Sequence, residues 1–470
     1  MIRLTLAEIA AITDGTLRFV ADDSAVVTGD VRIDSRQVAL GDLFVAIHGE
    51  QFDGHDFAER AVADGAIAAI TARDLDIGLP QIRVNDTVQA LGRLARGVVD
   101  RLPELTVVGL TGSSGKTSTK DLLAQVLPTL GPTIAPVGSF NNETGLPLTA
   151  LGVDRQTRFL VAEMGARGIG HVRYLCDITP PKIGIVLNVG SAHVGEFGSR
   201  AVIAQAKGEL IESLPHDGVA ILNDDDELVR AMRSRTNAAV LTFGRGDTAD
   251  VRVSDISMSA HGTPSFTVHV ADESVRVDLP LVGEHHVLNA AAVVAAGISL
   301  GAPLAQLAEQ LSVVRALSRW RMEVSTTADD VTVINDAYNA NPESVAAALR
   351  ALMVIAGGIP AEVSATRRSF AVLGEMRELG ESSQAAHEEI GRLTVELGVE
   401  QVVIVGAAAQ AIADARSAAG MSEGTRLVAN PQAAVALLST ELRSNDVVLV
   451  KASRAVGLDA VAAGILGLDS

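Results

Sequence analysis

The chain has 470 residues, 48% of them hydrophobic and 20% charged, a globular make-up whose length fits about three domains. A net charge of -19 and a pI near 4.9 exclude a non-specific nucleic-acid binder, so no nucleic acid is expected as a partner. The single cysteine, Cys176, excludes an intrachain disulfide, and no apolar run is long enough to span a bilayer, so a cytoplasmic protein with no membrane partner is expected.

From the N-terminus, residues 6–12 read as an amphipathic helix and not as a leader. Residues 43–47 and 68–70 read as strands, and 57–63 and 88–99 as helices. Asp34-Ser35-Arg36 and Gly49-Glu50-Gln51-Phe52-Asp53-Gly54-His55 place Ser, Arg, Asp and His in turns on either side of the first strand. Turns at strand ends mount ligand groups, and they also use these residues for their own geometry; spacing alone leaves both readings open. Leu102-Pro103-Glu104 marks a linker, which closes a small N-terminal α/β domain over 1–102.

Residues 106–110 form a β-branched apolar run, read as a buried strand, and 120–127 read as a helix. Between them lies Gly112-Ser113-Ser114-Gly115-Lys116-Thr117-Ser118. Strand, Gly-rich turn and helix in that order is the context of a phosphate-binding loop. Gly112 and Gly115 let the backbone approach a polyphosphate, and the helix start favours the anion. Lys116 would reach the terminal phosphates, and the Thr117 hydroxyl would hold Mg²⁺. Leu110 stands where a full Walker A has Gly. The alternative is a Gly turn with a surface lysine, and the flanking strand and helix weigh against it.

Strands and helices then alternate, which predicts a central P-loop ATPase-like domain over 103–315 with a mostly parallel sheet. Strand 158–162 ends at Glu163, a candidate Mg²⁺ ligand on the ligand edge. Strand 183–187 leads towards His193 on the same rim; a lone His is more often structural, and only the shared edge with Glu163 raises it. Lys207 falls in a helix over 202–214, where a solvated lysine is the favoured reading from sequence physics. Residues 250–280 alternate apolar and polar and read as a small β insert. His285 and Asn289 share a face at the start of an Ala-rich helix, as a polar cap would.

In the last third, strands over 331–334, 369–373, 402–405 and 447–450 carry polar residues to one edge, including Asp336 to Pro342 and Lys451 to Arg454. Pro342 starts the helix that follows the first of them. This predicts a C-terminal Rossmann-like α/β domain over 316–470.

Several stretches together resemble the Mur ligases, the ATP-dependent amide ligases of peptidoglycan precursor synthesis. They are Asp34-Ser35-Arg36, Gly41 to Ala46 with Phe52 to His55, Gly112 to Thr117, Asn141-Asn142-Glu143-Thr144-Gly145, Glu163-Met164-Gly165, His193 through Ser199 and Ala206-Lys207-Gly208-Glu209. Asp336 to Pro342, Leu373 to Gly380 and Lys451 to Arg454 complete the set, in family order. The Asn-Asn-Glu, Tyr-Asn-Ala-Asn-Pro and Leu-Gly-Glu-Met-Arg-Glu-Leu-Gly stretches point to the branch that adds D-alanyl-D-alanine to a UDP-N-acetylmuramoyl-tripeptide.

The resemblance implies those two substrates, ATP, two Mg²⁺ ions and a monomer. It implies that Ser35, Arg36, Phe52, Asp53 and His55 grip the UDP part, and that Asn141, Asn142 and Thr144 sit near the muramoyl-peptide. Gly112, Ser113, Ser114, Gly115, Lys116, Thr117 and Ser118 would cradle the ATP phosphates, Asn289 would meet the adenine and Asp336 the ribose, with Asn339 also on the ATP. Arg321 would reach the γ-phosphate. Thr117 and Glu163 would hold one Mg²⁺, and His193 with a carbamylated Lys207 the other; Lys116, Lys207, His193 and Arg321 form the implied catalytic set. The pattern departs at His286 (usually Asn), Trp320 (usually Gly) and Ala452 (usually Gly), and the second departure makes Arg319 a competitor of Arg321. Two rivals stand beside this reading: another ligase of the superfamily, a sibling amino-acid-adding Mur enzyme or one like folylpolyglutamate synthase, and a P-loop ATPase with a partner-binding domain.

Overall fold

The structure, a computed structural model, describes residues 1–49, 51–190, 194–357 and 367–468. The N-terminal sheet has five strands in the order Thr16–Arg18, Gln81–Arg83, Ala68–Thr71, Leu43–Val45, Val31–Arg32, parallel except for the first pair. Helix Thr87–Val99 starts where the Asp86 carboxylate accepts from the Val88 and Gln89 N–H groups. Its Leu91, Leu94, Ala95 and Val98 recur at helical spacing and are all buried. They share one apolar cluster with Leu175, Cys176 and Leu210, so the first hundred residues dock on the central sheet through a continuous core.

The central sheet has nine strands among the described residues. Their order is Glu273–Asp278, Pro264–Val270, Val251–Met258, Ala239–Gly244, Val219–Asn223, Ile183–Val186, Thr106–Thr111, Phe159–Glu163, Thr133–Ile134. The seven from Val251–Met258 to Thr133–Ile134 are parallel, and helices cover both faces. Strands buried on two sides need apolar residues throughout, as Val107, Val108 and Leu110 supply. Residues 250–280 are not a separate insert. They extend this sheet with two antiparallel pairings, because Val251, Val253, Phe266, Val268 and Val277 all turn one apolar face into the core under helix His286–Ser299.

The third sheet runs Glu323–Thr326, Thr332–Asn335, Val447–Lys451, Ser369–Leu373, Gln401–Val405, Thr425–Val428, parallel except for the first pair. Glu323–Thr326 is the strand that pattern reading misses: it is a short, largely exposed edge with no apolar alternation. Among the described residues no helix is long and apolar enough to cross a membrane.

Candidate active site

A cavity of about 800 Å³ opens between the central and third sheets, and Val88 and Gln89 of helix Thr87–Val99 also line it. In register, Glu163 lies beside Leu110 and Val186 beside Thr111, so three parallel strands end level and deliver their loops to one edge. The loop after Thr111 turns into helix Lys116–Val126 at Gly115, whose φ is +80°. A side chain there would be strained, and its Cβ would lie 2.6 Å from Asn289 Oδ1. Asn188 Oδ1 accepts from the N–H groups of Ser113 (3.0 Å) and Ser114 (2.9 Å), which fixes the loop before any ligand arrives. The N–H groups of the helix's first turn lack intrahelical partners, and Gly115, Lys116, Thr117 and Ser118 line the cavity. Lys116 Nζ donates to Gly112 O at 2.7 Å, so the lysine is folded over the loop and not out in solvent. Burial pulls its pKa below the usual lysine range; Glu163 opposes this and Arg321 adds to it.

Glu163 is fully buried. Its Oε1 accepts from Asn141 Nδ2 at 2.8 Å and faces Thr117 Oγ1 at 3.4 Å, while its Oε2 is buried with no partner among the described residues. A buried, unpaired carboxylate oxygen beside a hydroxyl fits a hard cation. Lys207 lines the same cavity and is 2% exposed, which overturns the solvated-lysine reading. Burial first, and the Lys116 ammonium second, hold its pKa well below the ordinary lysine value, so the neutral amine is favoured. Its helix is anchored on both sides. Glu209 caps helix His171–Ile178 by accepting from Gly170 N (2.6 Å) and Arg173 N (3.0 Å), and Arg235 donates to Ala204 O and Gln205 O. His193 lies outside the described residues. Among the described residues no three His, Cys, Asp or Glu side chains cluster as a metal site.

The third sheet supplies the opposite wall. Arg321 Nη2 reaches Thr117 Oγ1 at 3.4 Å, its guanidinium lies 4.2 Å from the Tyr338 ring centre, and its Nε is buried without a partner among the described residues. Arg319 is exposed and is not among the cavity residues, so of the two arginines it is Arg321 that faces the loop. Trp320 takes the place of a glycine in a real sense: its φ is +59°. That conformation costs about 1–2 kcal/mol. Arg454 stacked 4.0 Å from its ring returns about 0.5–1 kcal/mol, and its N–H bond to Glu323 Oε2 at 3.1 Å helps hold it. Asp336 lines the cavity but is already engaged: Lys451 Nζ donates to its Oδ2 and Met322 N to its Oδ1. Lys451 also donates to Asn339 O at 2.9 Å, so this buried lysine, absent from the sequence-level site, braces the Asp336–Asn339 turn. Its signal was the charged residue ending a fully buried strand.

Asn289 and both histidines before it line the cavity. His286 Nδ1 lies 3.5 Å from Asn289 Nδ2, and the two imidazoles stack at 4.2 Å. Burial lowers both their pKa values, more strongly for His286, so both rings are held neutral.

Other expected residues sit elsewhere or are otherwise occupied. Thr144 bonds Asn142, whose Oδ1 also caps the next helix at Gly145 N (2.9 Å); Asn142 lines the cavity and Thr144 does not. Asn141 points to Glu163. Ser35, Arg36, Phe52, Asp53 and His55 lie in turns beside the N-terminal sheet and are not among the residues that line the cavity. Ser35 is buried, Arg36 pairs with Asp34, and Phe52 is 70% exposed. His55 is engaged within its own turn. Nδ1 bonds Asp53 and Nε2 accepts from Ala72 N at 2.8 Å, so its ring has no nitrogen left for a ligand.

Mur ligase family models match the chain in three stretches: the Mur ligase family catalytic domain over residues 29–98, the Mur ligase middle domain over 110–297 and the glutamate ligase domain over 320–454. The chain is 45% identical to the UDP-N-acetylmuramoyl-tripeptide–D-alanyl-D-alanine ligase of Mycobacterium tuberculosis, with 100% of this chain and 99% of the relative covered. It is 36% identical to the ligase of the same name from Escherichia coli, with 98% of each covered. Among solved structures it is similar to MurF from Acinetobacter baumannii, with a TM-score of 0.88, 31% identity and 99% of each chain covered. It is also similar to the Thermotoga maritima MurF ligase in complex with ADP, with a TM-score of 0.80, 32% identity, and 94% and 98% of the chains covered.

Proposed function

The chain belongs to the Mur ligase family, and on that premise we propose that it joins a UDP-N-acetylmuramoyl-tripeptide to D-alanyl-D-alanine with cleavage of ATP to ADP and phosphate. The observation that carries the reading is a convergence. One cavity brings together a phosphate loop, a buried carboxylate with a free oxygen, and an arginine from a third sheet. A carboxylate is a poor electrophile towards an amine. Transfer of the γ-phosphoryl group to the tripeptide carboxylate gives an acyl phosphate, and attack by the neutral amine of D-alanyl-D-alanine then expels phosphate. Lys116 and Arg321 spread the charge of the transferring phosphoryl group, from opposite walls. Walls from the central and third domains would keep water from the acyl phosphate once the substrates fill the cavity.

The residues present fit Mg²⁺: Thr117 and Glu163 would hold one ion, on the strength of the unpaired Oε2. When bound, the ion neutralises phosphate charge. We infer a second ion held by His193 and a carbamylated Lys207; the buried, neutral amine is the form that adds CO₂. Asn289 is assigned to the adenine, Asp336 to the ribose, Asn339 to the ATP, Asn141, Asn142 and Thr144 to the neighbourhood of the muramoyl-peptide, and the Ser35-Arg36 and Phe52-to-His55 turns to the UDP part. The working units are taken as 1–102, 103–315 and 316–470, acting as a monomer. A cytoplasmic location is supported by the lone, buried Cys176.

The test is ATP turnover with the UDP-muramoyl-tripeptide, with and without D-alanyl-D-alanine. Phosphate release that needs both is the expected result. Release undiminished without the amine would make the protein an ATPase.

A further inference from the structure

Arg321 hangs on a strap, residues 312–322, that leaves the central domain after helix Leu304–Leu311 and enters the third sheet at Glu323–Thr326. The strap runs along the phosphate-loop helix Lys116–Val126 in a fixed register. Gln125 Oε1 accepts from Arg315 N at 3.0 Å, and Gln125 Nε2 donates to Arg315 O at 3.0 Å. Asp121 Oδ2 accepts from Ser318 N at 3.1 Å. Thr117 Oγ1 meets Arg321 Nη2 at 3.4 Å. Thus helix residues 117, 121 and 125, four apart and on one face, meet strap residues 321, 318 and 315, three apart. Four helix residues rise about 6 Å, whereas three extended residues can span about 10 Å. The strap therefore has slack, and covalent connection alone does not fix where Arg321 arrives. Asp121 is itself held by the buried Lys120, so the middle contact is rigid.

We propose that the Thr117–Asp121–Gln125 face is a template that sets the register of the strap and so aims the Arg321 guanidinium at the phosphate loop. Asp121 and Gln125 are positioning residues for phosphoryl transfer, distant from the phosphates and acting through Arg321. The idea rests on Arg321 serving the terminal phosphate, as proposed above.

Gln125→Leu removes both Arg315 bonds at similar volume and leaves the buried Lys120–Asp121 pair intact. With Arg321 present, kcat should fall about tenfold with the ATP KM within about twofold, and in an Arg321→Lys background the same change should alter kcat by less than about twofold. Gln125→Glu, which keeps the acceptor for Arg315 N, should fall between. Trp320 is the only tryptophan in the chain, so its emission reports the strap directly. Acrylamide quenching of Trp320 should rise in Gln125→Leu while the thermal midpoint is little changed. Equal loss of kcat in both backgrounds, or unmoved Trp320 quenching, would overturn the template. Undiminished turnover in Arg321→Lys would instead remove the role of Arg321 and the template with it.

Discussion

The Asp53–His55 turn and the Glu163 corner contain the same kinds of group, finished in opposite ways. In the turn, Asp53 accepts from His55 N, His55 Nδ1 and Arg73 Nη1, and His55 Nε2 accepts from Ala72 N. Burial raises the Asp53 pKa, but the bonds from His55 and Arg73 outweigh it and hold the carboxyl well below its usual range. At the corner, among the described residues, Glu163 Oε2 has no partner, and Arg321 Nε and His285 Nδ1 are buried and unpaired around the same cavity. A buried polar group without a partner is destabilising, by about 1–3 kcal/mol. The first arrangement therefore pairs its groups within the turn, and the second holds capacity in reserve for something that binds.

That contrast is open to direct attack. The largest effect is expected at the loop: Lys116→Ala should lower turnover at least about a thousandfold with an unchanged melting temperature, because among the described residues the lysine's hydrogen bond goes to a loop carbonyl. Unchanged ATP turnover would remove the phosphate-loop assignment. Next, Lys207→Arg should lose about a hundredfold, and Lys207→Ala should regain part of its rate when a short-chain carboxylate is added. Full activity in Lys207→Arg would end the carbamate proposal. A smaller effect is expected for Asn141→Ala, which unties Glu163: the Mg²⁺ concentration for half-maximal rate should rise about tenfold. A titration of rate against Mg²⁺ checks this, and an unshifted curve would leave Asn141 outside the metal site. On the other side of the contrast, His55→Ala should cost about 1–3 kcal/mol in urea unfolding, with the ATP KM unchanged. If it impaired ATP use as Lys116→Ala does, the turn could not be separate from the site.

The strands of the parallel sheets were legible because burial on two faces forces continuous apolar runs, as at 106–110 and 183–187. Glu163 and Asp336 were legible because each follows such a run. What pattern reading missed was set across the chain. Nothing near Lys207 in sequence says that its helix turns this residue inwards; the hydrophobic contrast around that helix is weak, since Ala206, Lys207 and Gly208 are all buried. The 250–280 strands alternated correctly, but only the helix packed over them shows which sheet they join. Asn188 and Lys451 act by bonding loops 74 and 112 residues away, a distance that no local window sees.

Gly195 and Gly380 meet between the central and third domains, with Gly195 N donating to Glu378 O at 3.1 Å. A Cβ on Gly195 would lie 2.4 Å from Gly380 N, and one on Gly380 would lie 2.7 Å from the Gly195 Cα. Side chains can rotate out of a tight contact, but two bare backbones cannot. The approach of the two domains at this point is therefore limited by peptide against peptide, a hard stop that does not depend on rotamers. A single methyl group at either position would act as a wedge, and its effect would be felt as a change in the height of the cavity and not in the chemistry of any residue that lines it.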